Sequence, residues 1–176
     1  MPHTIRTERL LLRPPVPRDA VAAAQVLSDW DVLKETGTWA YPVSPAHARW
    51  RFEQYASQPL HEAAFFVMIA DDGLIGTIGL HQRVGTTYGL GYMIGKAYWG
   101  RGFVSEAARA LCLFGFETMG AALIQADVFR DNPASSRVLE KVGFRFTTDP
   151  GDGWSATRGA NFPRWEYELT REDLHP

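Results

Sequence analysis

Two groups of residues in this chain are spaced for chemistry. The first is Gly100-Arg101-Gly102-Phe103-Val104-Ser105, in which two glycines flank an arginine just before an apolar helical repeat. Glycine takes positive φ without steric cost and lets a ligand come close to the backbone. A glycine turn that opens a helix offers unpaired N–H groups and the positive end of the helix dipole to an anion. The dipole contributes only about 0.3–1 kcal/mol. Aligned N–H donors and the Arg101 guanidinium therefore carry most of the attraction, and the six residues are a candidate diphosphate cradle. The second group is Asn132 and Ser135, three apart at the start of a later helix. An N-cap and the third helical position lie at one end of the helix and share a mouth. Capping is itself a sufficient role for Asn132, and it is compatible with a binding role.

The elements that must position these groups follow from periodicity. In Tyr88 to Ile94, Tyr88, Leu90, Tyr92 and Ile94 alternate with Gly89, Gly91 and Met93, the period of a strand. Beyond the glycine turn, Val104, Ala107, Ala108, Leu111, Cys112 and Phe114 recur at three and four residues, which predicts a helix to about Thr118. Leu123 to Phe129 returns as a strand, and βαβ order makes it parallel to the first. Asn132, Pro133 and Gly143 supply the cap, first position and terminus of a compact helix. Upstream, Ile5 to Pro14 is predicted as a first strand, Asp19 to Ser28 as an Ala-rich helix, and Ser44-Pro45 as the start of a helix to Ser57. Trp30 to Tyr41 reads as irregular and aromatic. Ala64–Ile69 and Leu74–His81 form a hairpin about Asp71-Asp72-Gly73. Phe144–Thr148 and Arg164–Thr170 close the sheet, with a Gly/Asp-rich loop from Asp149 to Asn161 between them. The expectation is one α/β (α+β) domain over residues 1–176. Its sheet is mixed and mostly antiparallel, with one parallel pair and helices on both faces.

Composition bounds the function. With 176 residues, 45% apolar content and 22% charged content, the chain suits a globular domain with a proper core. A net charge of −2 gives no reason to expect a nucleic-acid or anionic membrane partner. No apolar run reaches bilayer length, and the opening Met-Pro-His-Thr has no basic segment and apolar core, so no secretory leader is expected. The lone Cys112 fits a reducing cytoplasm and reads as a buried core thiol.

The identity of the diphosphate is narrowed by what is missing. A dinucleotide fingerprint would need glycine where Ser105 stands, and a Walker A loop would end in Gly-Lys-Ser/Thr. Tyr98-Trp-Gly-Arg-Gly-Phe-Val-Ser-Glu-Ala107 instead resembles the acyl-CoA turn of the GNAT superfamily of acetyl-CoA-dependent N-acetyltransferases, in particular the RimJ/RimL-like branch. Thr7-Glu-Arg-Leu-x-Leu-Arg13 and the Asn132-x-x-Ser135 to Gly143-Phe144 stretch are similar to the same branch. Trp99 and Val104 depart from the wider superfamily pattern, and the first departure is usual in this branch.

The resemblance implies that the two parallel strands splay apart and that acetyl-CoA, as co-substrate, lies between them. Gly100, Arg101, Gly102, Phe103, Val104 and Ser105 would take its pyrophosphate. Met93 and Ile94 would offer backbone groups to the pantetheine arm, with an N–H near Ile94 polarising the thioester carbonyl. Asn132 would bind the arm, and Ser135 would protonate the departing thiolate. The implied reaction is transfer of acetyl to a primary amine, either a protein N-terminus or a small molecule, in a ternary complex without a metal. A monomer or homodimer would suffice. The base is less well marked, because relatives often carry Glu where this chain has Gly89. His81, placed at the end of its strand, can relay a proton or can be a plain surface histidine. Glu166 and Glu168 are further candidates, or a solvated strand face. Glu106 is read as serving the first turn of its helix. Trp30 to Tyr41 and the loop from Asp149 flank the amine side, with Trp30 and Trp39 equally suited to packing. The missing carboxylate at 89 keeps a catalytically silent acyl-CoA-binding module open as an alternative. A nucleotide-binding α/β domain is a further one.

Overall fold

In the computed structural model, which describes residues 3–175, the alternating segment around Tyr88 becomes β5 (Thr87–Ile94), near the middle of the sheet. Met1 and Pro2, which open the stretch inspected for a leader, lie outside the described residues. The N-terminal half supplies β1 (Ile5–Arg6), β2 (Leu11–Arg13), β3 (Ala63–Ala70) and β4 (Gly73–Val84). The C-terminal half supplies β6 (Leu123–Phe129), β7 (Arg145–Thr148), β8 (Asp152–Ser155) and β9 (Ala160–Leu169). The order is β1-β2-β3-β4-β5-β6-β9-β7, with β8 hydrogen-bonded to the first half of β9. Every pairing is antiparallel except β5 with β6.

That single parallel pair is short. Its register covers Thr87–Leu123, Tyr88–Ile124 and Gly89–Gln125, and then stops. From Leu90 onward the two strands are no longer paired, so β5 and β6 stand open toward their C-terminal ends. Open backbone in a sheet interior must find partners elsewhere, in protein or in ligand.

Helices cover the two faces with different residues. On one face α4 (Phe103–Phe114) and α5 (Pro133–Val142) pack Leu111, Cys112 and Leu139 against Leu80, Tyr88, Leu90 and Ile124. On the other, α1 (Asp19–Leu27), the single turn α2 (Trp30–Leu33) and α3 (Pro45–Ala56) pack Ala23, Leu27, Leu33 and Phe52 against Val67, Leu74 and Met93. The alanines of α1 let it lie close to the sheet. Each fully buried Leu or Ile stabilises the fold by roughly 1.5–3 kcal/mol. Ser44 and Asn132 cap α3 and α5 by accepting from His47 and Ser135 N–H, each helix with proline in its first turn.

Trp30–Leu33, read as irregular, is helical because the Asp29 side chain caps it through Asp31 N–H, and three expectations about strands also need correction. The segment Ile5 to Pro14 is two strands, because the Thr7 N–H donates to Leu10 O while the Thr7 hydroxyl accepts from Leu10 N–H, which turns the chain back on itself. The loop read from Asp149 to Asn161 contains β8, which pairs Asp152–Ser155 with Ala160–Pro163 about a turn closed by Gly159 N–H to Ser155 O. β4 runs three residues past His81 to Val84, held by Gln82 Nε2 on Gly85 O, so His81 is inside a strand and not at its end. Helix α4 gives way to a π turn over Gly115–Met119, and Cys112 is fully buried, its thiol pushed up by that burial.

Candidate active site

The turn after β5 is built to expose backbone donors. Gly100 and Gly102 sit at φ +73° and +79°, the left-handed region that other residues enter at a cost of roughly 1–2 kcal/mol. Gly102 precedes α4, whose first intrahelical bond at this end runs from Glu106 N–H to Gly102 O. Among the described residues, none of the six N–H groups from Gly100 to Ser105 donates to a protein acceptor. The side chains of Phe103, Val104 and Ser105 are buried, so these donors belong to a rigid turn.

Two cations flank the turn, and the second was not visible in the sequence. Arg101 lies with its guanidinium 4.9 Å from the Phe103 ring centroid. Arg9 lies 4.6 Å from the same centroid, and its Nη1 donates to Arg101 O at 2.9 Å. Glu106 holds Arg9 there, accepting from its N–H at 2.8 Å, its Nε at 2.7 Å and from Thr7 Oγ1 at 2.6 Å. Burial opposes ionisation of Glu106, yet these bonds keep its carboxyl below the usual glutamate range. Glu106 therefore does more than complement its own helix: it fastens the N-terminal turn to the cradle.

The open strand ends offer backbone on one parity only. Gly95 N–H bonds Ile75 O, and hydrogen-bonded pairs alternate along an antiparallel ladder. Met93 consequently exchanges its backbone bonds with Thr77 and turns them away from the gap, while Tyr92 and Ile94 direct theirs toward β6. Ile94 O is taken by Trp99 Nε1 at 3.0 Å, which leaves the Ile94 N–H facing the gap. The Met93 side chain packs under α1 and α3.

Asn132 and Ser135 stand at the other wall. Asn132 Oδ1 accepts from Ser135 N–H at 3.1 Å, so its capping role is satisfied. Ser135 Oγ is 2.5 Å from the Tyr92 hydroxyl. Burial pushes the Tyr92 phenol up to about 12, with the Ser135 bond pulling the other way. Tyr92 was not singled out in the sequence, although its strand parity points it toward the α5 face. Ser136 Oγ is buried without a partner and does not join this pair.

His81 is placed elsewhere. A Cβ on Gly89 would meet its ring at 2.6 Å and Arg83 Nε at 2.7 Å, so both side chains fill the place a residue 89 carboxylate would take. His81 is exposed by surface area, but desolvation of its inner edge and then the Arg83 cation hold its imidazole below the ordinary value, against Asp127. It pairs across the ladder with Gly89, which is five residues down β5 from Ile94, roughly 17 Å at strand rise. Arg83 also gathers Asp127 at 2.9 Å, Gln125 at 3.1 Å and Glu166 at 3.4 Å, and Gln125 donates to Glu168 at 2.8 Å. Glu166 and Glu168 are thus bonded into a polar floor and do not form a solvated face. Of the aromatic segment, Trp39 is core while Trp30 and Tyr41 are exposed and meet edge to face.

An exposed N–H turn beside an unpaired parallel strand end is the arrangement that the GNAT resemblance implies. Residues 9–145 match the acetyltransferase (GNAT) domain family, and the chain belongs to it. It is 31% identical over 149 residues to the uncharacterized N-acetyltransferase p20 of Bacillus licheniformis, covering 81% of this chain and 83% of that one. A GNAT-family acetyltransferase from Bacillus anthracis superposes with a TM-score of 0.83 at 26% identity, over 97% of this chain and 99% of its own. RimJ of Mycobacterium smegmatis, solved in complex with CoA-disulfide, shares the fold with a TM-score of 0.85 at 19% identity, over 99% and 89%. The protein is an acetyltransferase with the mixed sheet of that family. Among the described residues, no helix is long and apolar enough to cross a membrane.

Proposed function

We propose that the chain, as one catalytic unit over residues 1–176, transfers acetyl from acetyl-CoA to a primary amine by direct attack in a ternary complex. The acceptor is a protein N-terminus or a small-molecule amine. The observation that carries this is the run of six N–H groups without protein acceptors at Gly100–Ser105, next to strand ends that stop pairing. Those groups fit a pyrophosphate in number and charge. Arg101 and Arg9 add two cations, 4.9 and 4.6 Å from the Phe103 ring centroid.

In this reading Gly100 to Ser105 hold the pyrophosphate and the splayed strands take the pantetheine arm. The Ile94 N–H polarises the thioester carbonyl, as donors aimed at a developing oxyanion do. Asn132 orients the wall by fixing the first turn of α5. Ser135, linked to Tyr92, passes a proton to the departing thiolate. A phenol held near 12 stays protonated at neutral pH and serves as a reservoir for that hydroxyl. The pair is therefore a relay, with Ser135 the nearer group.

The test has two stages. Calorimetric titration with acetyl-CoA measures binding. Thiol release is then followed with a panel of N-terminal peptides, polyamines and aminoglycosides. Binding and turnover on one class support the reading, and absence of acyl-CoA binding refutes it. One observation favours a second reading, a silent acyl-CoA-binding module: residue 89 bears no carboxylate and its space is filled by His81 and Arg83. Tight binding without turnover on any amine is its signature.

A further inference from the structure

Opposite the Tyr92–Ser135 pair, on the other face of the sheet, lies a carboxylate that the packing does not explain. Glu35 follows α2, whose Val32 and Leu33 are buried with α1 and α3, while Tyr92 and Ser135 face α5. Its neighbours hold it across the open strand ends. On the β5 side, Asp31 accepts from Lys96 Nζ at 2.6 Å, two residues past Ile94. On the β6 side, Lys34 O accepts from Ser155 Oγ at 3.0 Å. Arg158, on the turn of the same β8–β9 hairpin, pairs with Asp131 just beyond β6 and lies 4.5 Å from the Phe129 ring centroid.

The other acids near the gap are committed. Asp127 Oδ2 accepts from Arg83 at 2.9 Å and Arg164 at 3.2 Å, so that carboxylate is ion-paired even though its Oδ1 is buried without a partner among the described residues, and Glu166 and Glu168 are bonded to Arg83 and Gln125. Glu35 is not. Among the described residues its Oε2 is buried with no hydrogen-bond partner, and the one cation within 4 Å of the carboxylate is Lys34 Nζ, at 4.0 Å from Oε1. With 18% of the side chain exposed, this carboxyl is largely withdrawn from water without compensating donors. Such a group costs stability, and sites where a carboxylate must accept a proton are where that cost is retained.

We propose, on the basis of the acetyltransferase reading above, that Glu35 is the catalytic proton acceptor for the incoming amine. The acceptor ammonium gives one proton to the Glu35 carboxylate and becomes a neutral amine with a free electron pair. That pair forms the C–N bond to the acetyl carbonyl carbon, and the C–S bond breaks with its electrons going to sulfur. The nitrogen's second proton passes through the Tyr92 and then the Ser135 hydroxyl to the thiolate. Acetamide and free thiol result, and Glu35 returns its proton to water.

The charged groups facing Glu35 are Asp131 past β6, Arg158 from the hairpin, and Lys34 and Asp31 from its own segment. Burial first, then Asp131, raise its carboxyl above the ordinary glutamate value, with Asp31 adding and Arg158 and Lys34 opposing. A base must be ionised to work, so activity is full above that raised value and falls as pH drops through it.

The experiment compares the full chain with Glu35→Gln and Glu35→Asp, using whichever panel amine the unsubstituted chain acetylates. Glu35→Gln is expected to lower kcat by about 10²–10⁴-fold. The acetyl-CoA dissociation constant should be unchanged by calorimetry, and the acidic limb of the kcat–pH profile should vanish. Glu35→Asp restores part of the rate, and the loss shrinks for an arylamine acceptor that is already neutral at assay pH. Wild-type kcat and the same acidic limb in Glu35→Gln would overturn the proposal while leaving the acetyltransferase reading intact. An unsubstituted chain that acetylates no amine overturns both.

Discussion

The cradle can be probed by removing one donor without removing a protein hydrogen bond. Val104 is the second residue of α4, and its N–H has no acceptor among the described residues. Proline there lacks the N–H and fits helical φ, and in the first turn it breaks no i→i−4 bond. Val104 is 7% exposed, so trimming its side chain costs about 2 kcal/mol at roughly 0.8 kcal/mol per methylene-sized group. Val104→Ala controls for that loss, and both variants should melt about 4–8 °C lower, at roughly 2–4 °C per kcal/mol for a domain of this size. A hydrogen bond to a charged group contributes about 1.5–3 kcal/mol. At about 1.4 kcal/mol per decade, Val104→Pro should bind CoA roughly 10–100-fold more weakly than Val104→Ala. Isothermal calorimetry reads this directly. Equal dissociation constants for the two variants would refute the assignment of that N–H to the phosphates.

Ser135→Ala and Tyr92→Phe should each lower kcat, the serine variant by on the order of 10²-fold and the tyrosine variant by less, with the KM for acetyl-CoA little changed. Full turnover in Ser135→Ala under steady-state thiol-release assay removes it from the relay. Asp19 is 6% exposed and bound by Arg13 at 2.7 and 2.8 Å and by Val16 N–H at 2.7 Å. Burial works against its ionisation, but Arg13 and the Val16 N–H outweigh it and hold its carboxyl below the usual value. A depressed carboxyl stabilises the fold above the unfolded value, near 3.9, and that contribution is lost as pH falls through the folded value. Asp19→Asn, which leaves Arg13 unpaired, should cost about 3 kcal/mol at pH 7 in urea unfolding, and the difference from the parent should shrink in acid. A cost that is the same at pH 7 and in acid would contradict this.

Much of this was legible because its causes are local. The alternation of β5, the Asp/Gly turn of the β3–β4 hairpin, the Asn132 and Pro133 start of α5 and the glycine turn before α4 are all written within a few residues. The parity that gives Ile94 and not Met93 a free N–H is set by how β5 pairs with β4, which the period of two does not specify. What escaped was long-range. Arg9 meets the cradle across 92 positions, through an acid on another element. Tyr92 meets Ser135 only once β5 and α5 are packed. β8 was hidden because Asp152-Gly153 reads as turn, and its pairing depends on the partner strand. Nothing local marks Glu35 in the sequence, and its lack of donors exists only in three dimensions.

The central claim is that backbone N–H groups from Gly100 to Ser105 grip the CoA pyrophosphate beside the open end of β5. Crystals grown with acetyl-CoA test it most directly. The expected result is pyrophosphate oxygens about 2.7–3.2 Å from several of these nitrogens, with the thioester carbonyl at the Ile94 N–H. Pyrophosphate bound anywhere else on the chain, with these six donors turned to water, would contradict it.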